Sequence, residues 1–167
     1  GFIYSDCWVD DARLVALNAR DAADRGAKIL TRTEFLKAER VGQYWTGTVK
    51  GEQGEEKITA KAVVNAAGPW VAAILHDRIA RPNKHNIRLV KGSHIIVPQL
   101  FSHHASYIFQ QPDRRIVFAI PYESKFTLIG TTDLEVKSAE KPKISPEETD
   151  YLCAAVNRYF NKQISPA

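Results

Sequence analysis

Lys91-Gly92-Ser93-His94 breaks an apolar run, residues 87–97, with the one side chain type that ordinarily titrates near neutral pH. An imidazole there can take the proton of a substrate hydroxyl as a general base, or can simply be a structural strand residue. Gly92 inside a strand pattern marks either a bulge or a ligand passing close to the backbone. Arg114-Arg115 leads the strand-like run 116–121. An arginine at a strand start can hold a phosphate or carboxylate through its fork of donors, and can equally be a turn residue. Gly130-Thr131-Thr132-Asp133 closes another apolar run, 126–129, with two hydroxyls and a carboxylate that could serve a polar ligand or a local turn. Finally, Val63-Val64-Asn65-Ala66-Ala67-Gly68-Pro69-Trp70 has small residues between an apolar run and a helix start. Such a junction offers backbone N–H groups to a phosphate, or allows tight packing. The histidines at 76, 85, 103 and 104 form no HxH or HExxH spacing, so no metal site is expected.

Around these segments the patterning is clear. Asp10 or Asp11 caps a helix carrying Ala12, Val15, Ala16, Ala19, Ala22 and Ala23 at helical spacing, and Gly26 ends it. Its small-residue stripe predicts close packing on a sheet. Runs 28–40, 44–50 and 56–66 predict a three-stranded meander, with turns at 41–43 and 51–54. The last of these becomes continuously apolar at Ala62-Val63-Val64, as in a strand buried on both faces. Pro69 opens a helix through Leu75. Pro82 to Asn86 is a linker. Runs 87–97, 107–111, 116–122 and 126–131 predict four strands, and the short loops between the last three favour an antiparallel sheet. Ser145-Pro146-Glu147-Glu148 starts a final helix with a capping box, and its apolar face is Tyr151, Leu152, Ala155, Val156, Tyr159 and Phe160.

Composition sets the outer limits. The 167 residues, 44% hydrophobic and 25% charged, suit one compact domain or two small lobes with their own core. The net charge of +4 accommodates an anionic substrate or lipid surface as well as ordinary solvated charge, and no basic run suggests nucleic acid. Cys7 and Cys153 give neither a disulfide framework nor a metal-ligand spacing, and a reduced setting is expected. No apolar run approaches the ~20 residues of a membrane-spanning helix. Methionine is absent, which predicts a piece of a longer chain.

In order and spacing, five segments together resemble the flavin-dependent glycerol-3-phosphate dehydrogenases: Tyr4-Ser5-Asp6 with Asp10-Asp11-Ala12-Arg13-Leu14, Asn65-Ala66-Ala67-Gly68-Pro69-Trp70, Arg88-Leu89-Val90-Lys91-Gly92-Ser93-His94, Arg115-Ile116-Val117-Phe118, and Ile129-Gly130-Thr131-Thr132-Asp133. The resemblance runs from about Tyr4 to Phe160. It implies an FAD-binding enzyme that oxidises sn-glycerol 3-phosphate to dihydroxyacetone phosphate, with hydride transfer to FAD and electrons passed to a membrane quinone. It also implies a homodimer peripheral to the bacterial cytoplasmic membrane. Position by position, it makes His94 the catalytic candidate. Arg115, Thr132 and Asp133 become the substrate-region residues, and Ala66, Gly68 and Trp70 the loop at the FAD diphosphate. Phe35 falls where related flavoproteins meet the adenine.

The implied fold is α/β to α+β. Residues 1–80 are expected to be a remnant of a Rossmann-like FAD domain with its meander, and 81–167 an antiparallel substrate-binding sheet with a helix. The family's Gly-x-Gly-x-x-Gly turn, which seats the pyrophosphate, is not in this sequence. The chain by itself is therefore expected to bind FAD weakly or not at all and to be inactive. The Ala-rich face of the helix over 12–23 needs a sheet to cover it, so the chain is expected to self-associate, to exchange segments between copies, or to leave this helix poorly ordered. A related oxidase of the amino-acid and sarcosine oxidase group, or a free-standing ligand-binding module, are the alternatives.

Overall fold

The computed structural model describes residues 1–79 and 87–166. The linker expected at Pro82–Asn86, with His85, lies outside the described residues. What is described is an α+β protein with three antiparallel sheets, divided into two compact units.

The first unit holds residues 1–65 and 73–79. Helix α1, Asp11–Asp24, starts where the Asp10 carboxylate accepts the N–H of Arg13 at 3.0 Å, and Gly26 follows it at φ +93°. None of its residues is buried, so the packing expected of its small-residue stripe is not made within this unit. Strands β1 (Glu34–Val41), β2 (Tyr44–Gly51) and β3 (Gly54–Ala60) form the expected antiparallel meander in the order β1-β2-β3. The β1–β2 turn depends on Gly42 at φ +59°. A π-helical turn, Ile74–Arg78, is tied to β1 by Arg78, whose guanidinium donates to the Leu36 carbonyl at 3.3 Å and to Glu34 at 3.0 Å.

The strand expected at 62–64 is not formed, and Val64 is 88% exposed. Burial on both faces needs a neighbouring strand on which to satisfy the backbone, and no described strand pairs with this segment. The helix expected after Pro69 is likewise broken, into a 3₁₀ turn (Gly68–Trp70), a short α2 (Val71–Ala73) and the π turn.

The second unit holds 66–72 and 87–166. Its four-stranded antiparallel sheet has the order β5-β8-β7-β6, from β5 (His94–Pro98), β6 (Tyr107–Gln110), β7 (Ile116–Tyr122) and β8 (Phe126–Gly130). A two-stranded ribbon pairs β4 (Val90–Lys91) with β9 (Leu134–Glu135). Helix α3, Pro146–Asn157, begins with the full capping box between Ser145 and Glu148.

Strand alternation gives the sheet two different faces. One carries Phe109, Val117, Ala119 and Ile129, which pack with Leu152, Ala155 and Val156 of α3 into the core. Ile95, Val97 and Tyr107 pack against that core. The other face carries two cross-strand rows, His94-Gly130-Phe118-Ile108 and Ile96-Leu128-Ile120. Ile96 and Ile108 are 54% and 42% exposed, so this face is an open, mostly apolar platform.

Candidate functional site

His94 stands on the open face at the first position of β5, opposite Gly130. Its imidazole lies against that glycine: a Cβ at Gly130 would come within 2.6 Å of Cγ and Nε2 of the ring and closer still to Cδ2. The strand end Gly130 therefore needs glycine, because the ring takes the space a side chain would fill. No hydrogen bond joins the His94 side chain to a described residue, so the ring is exposed and available to a ligand on the platform.

Gly92, two residues earlier, has a different reason to be glycine. A Cβ there would collide with the Thr131 hydroxyl and come within 3.3 Å of the Thr132 carbonyl. The close approach is between two parts of this chain, the 92–93 loop and the 131–132 loop. They are tied further by Ser93 N–H donating to Thr132 Oγ1 at 2.9 Å and Thr132 N–H donating to the Ser93 carbonyl at 3.3 Å.

Beneath these loops lies a buried carboxylate. Glu148 is 7% exposed. Its Oε1 accepts from the hydroxyls of Ser93 (2.9 Å) and Thr132 (2.7 Å), and its Oε2 from Lys91 Nζ (2.6 Å) and Ser145 N–H (2.8 Å). Lys91 Nζ also donates to the Lys143 carbonyl at 2.5 Å. Burial alone would raise the Glu148 carboxyl. The bonds from Lys91, Thr132, Ser145 and Ser93 outweigh it and hold the group at about 2. In the sequence Glu148 shows only as a capping glutamate; the lysine and two hydroxyls that complete the node lie elsewhere in the unit.

Thr132 is thus 3% exposed, with its hydroxyl already engaged, whereas Asp133 next to it is exposed. Arg115 lies across from Gln111, at the start of the row that continues into Val117 and Ala119, so it belongs to the α3 face. Its guanidinium stacks on Tyr151 of α3, with Cζ 3.9 Å from the ring centroid, and binds Asp113 at 2.6 and 2.8 Å. These bonds hold the Asp113 carboxyl below its ordinary value. The sheet therefore separates Arg115 from His94, while it brings His94, Gly130, Ser93 and Thr132 together. Ala66 and Gly68 are exposed and Trp70 is 51% exposed; Gly68 takes φ +54°, a backbone glycine adopts readily, with open space where a Cβ would be. Phe35, half-buried on β1 in the first unit, lies against Gly47, where a Cβ would come within 3.6 Å of its ring.

Comparison with known proteins puts these features in a family. The chain is 50% identical over 169 residues to a glycerol-3-phosphate dehydrogenase of Pseudomonas aeruginosa, covering 100% of this chain and 33% of that protein. It is 49% identical over 167 residues to the D-erythritol 1-phosphate dehydrogenase of Brucella abortus, covering 98% and 33% respectively. A crystal structure of the glycerol-3-phosphate dehydrogenase from Bacillus halodurans, complexed with FAD, superposes with a TM-score of 0.76 at 36% identity, over 90% of this chain and 31% of that one. The chain thus spans about a third of the length of the relatives it matches. Residues 1–167 in full match the family model described as FAD dependent oxidoreductase, and the chain belongs to that family.

Proposed function

We propose that this chain is the central part of a flavoenzyme that oxidises a polyol phosphate, sn-glycerol 3-phosphate first among them, to the corresponding ketone, dihydroxyacetone phosphate. The observation that carries the reading is the exposed His94 ring on the open apolar face, in a chain whose family is FAD-dependent and whose relatives are dehydrogenases of such phosphates. A bound flavin would supply the acceptor for the hydride that leaves the carbinol carbon. The residues present suit such a group: Ile96, Ile108, Phe118, Ile120 and Leu128 make an apolar face on which a ring system could rest, with the His94 imidazole in one of its rows. His94 takes the hydroxyl proton as the carbonyl forms. Gly130 gives the imidazole its seat.

The remaining assignments follow the same reading. Residues up to about 80 form part of the FAD domain, and the rest the substrate-binding domain. Ala66, Gly68 and Trp70 serve the cofactor diphosphate, and the Phe35 backbone its adenine. Asp133 lies at the substrate end of β8. Thr132 acts from beneath, through its buried hydroxyl. For Arg115 the geometry supports anchoring α3 to the β6–β7 turn better than contact with the substrate phosphate. Quinone as acceptor, peripheral attachment to the cytoplasmic membrane and a homodimer complete the proposal for the whole protein. No described helix is long and apolar enough to cross a membrane.

The test is direct. The full-length protein, purified with its flavin and mixed anaerobically with sn-glycerol 3-phosphate, should lose its oxidised-flavin absorbance and yield one dihydroxyacetone phosphate per flavin. Retained absorbance with both glycerol 3-phosphate and erythritol 1-phosphate would refute the reading.

A further inference from the structure

We infer that Glu148 is a positioning residue for the reaction, acting through Ser93 and Thr132 to fix the His94 imidazole over Gly130. The inference rests on the function proposed above. His94 sits where two strand ends meet: β5 begins at His94 and β8 ends at Gly130. Ser93 immediately precedes His94, and Thr132 lies two residues after Gly130. Both hydroxyls donate to the same oxygen, Oε1 of Glu148, at 2.9 and 2.7 Å. One carboxylate oxygen therefore sets the spacing between the segment that carries the imidazole and the segment it rests on.

The other oxygen fixes the carboxylate itself. Oε2 accepts from the Ser145 N–H at the first turn of α3 and from Lys91 Nζ at the end of β4. The carboxylate is thus held at one end of a helix that packs on the core, and cannot drift independently of the sheet. All four bonds are donated to the carboxylate, so its acceptor-only character matters. A glutamine of the same size has one acceptor oxygen and an NH₂ that can only donate. It must turn the NH₂ either toward the two hydroxyls or toward an ammonium and an N–H, and so one pair of bonds is lost or reversed. Ser93 and Thr132 are 8% and 3% exposed, so water does not readily replace the loss. Reacting groups displaced by about 1 Å can cost about a hundredfold in rate.

The experiment is a double-mutant cycle in the full-length holoenzyme, read as the single-turnover rate of flavin reduction by sn-glycerol 3-phosphate. The variants are Glu148→Gln, His94→Ala and the pair, with flavin content and substrate affinity measured for each. Glu148→Gln should slow reduction about 10- to 100-fold in the His94 background, with substrate affinity held within about threefold. In the His94→Ala background it should slow reduction no further, since a residue that acts only through the imidazole has nothing left to position. Equal slowing in both backgrounds overturns the inference, as does an unslowed Glu148→Gln enzyme. Should Glu148→Gln fail to fold with its flavin, Ser93→Ala, which removes a single bond to Oε1, enters the same cycle with the same two outcomes. An unslowed His94→Ala enzyme refutes the catalytic reading of His94 itself. A slowed His94→Ala with an additive Glu148→Gln refutes only the positioning role.

Discussion

Acid should loosen the second unit through one identifiable group. Glu148 is held at about 2 against an ordinary 4.5, because the Lys91 ammonium, two hydroxyls and a backbone N–H together outweigh the cost of burying it. A carboxyl whose folded value is depressed contributes its stabilisation fully above the ordinary value, and loses it as the pH falls through the folded value. The gap corresponds to about 3 kcal/mol, present at neutral pH and lost between about pH 4.5 and pH 2. Glu148→Gln removes the titration and leaves Lys91 without its counter-charge, a change that costs about 3–5 kcal/mol when one partner of a buried pair is removed. Urea denaturation of the chain and of the variant, followed by far-UV circular dichroism across that pH range, measures the difference between them; carboxylates common to both cancel. The variant should be less stable by several kcal/mol at neutral pH, and the two curves should converge by about 3 kcal/mol at the acid end. A difference that stays constant across the range would mean that Glu148 titrates in the folded protein as in the unfolded one, and the description of the node would be wrong.

Three further outcomes follow from the geometry. Gly130→Ala places a methyl group where the His94 ring lies, so it should destabilise the fold by about 1–3 kcal/mol and slow flavin reduction in the full-length enzyme; wild-type rates with normal flavin content would show that the ring does not rest there. Arg115→Ala removes the stack on Tyr151, which should cost about 1 kcal/mol in urea denaturation while the KM for glycerol 3-phosphate stays within about threefold; a tenfold rise in KM at unchanged stability would return Arg115 to the substrate. The 167-residue chain alone should retain no FAD through gel filtration, because its sequence has no Gly-x-Gly-x-x-Gly turn to seat the pyrophosphate; a yellow, flavin-retaining chain would contradict this.

Much of the fold is legible in the sequence because the signals are local. Asp10 and Ser145 cap their helices within three residues, and the meander is marked by Gly42 and the 51–54 turn. Three strands of the second sheet are also legible, from their alternation and short loops, whereas the run 87–97 is split at Gly92-Ser93 into β4 and β5, which lie in different sheets. What is not legible depends on pairing. Ala62-Val63-Val64 has the composition of a doubly buried strand, but composition does not supply the neighbour it needs. His94 and Arg115 both stand at strand starts, and only the register puts them on opposite faces of one sheet. Glu148 shows in the sequence as a cap alone, because its other partners are Thr132, Ser93 and Lys91, at separations of 16, 55 and 57 residues. Gly92 and Gly130 are visible as irregularities, yet what fills the space beside each, a threonine hydroxyl and an imidazole, comes only from the fold.

The central claim is that the imidazole on the open face takes the substrate proton. Single-turnover reduction of the flavin in full-length His94→Ala, at saturating sn-glycerol 3-phosphate, tests it most directly. The rate should fall by about 10² to 10⁴, with flavin content and substrate affinity preserved. A rate equal to that of the unaltered enzyme, at the same flavin content, would remove His94 from the chemistry.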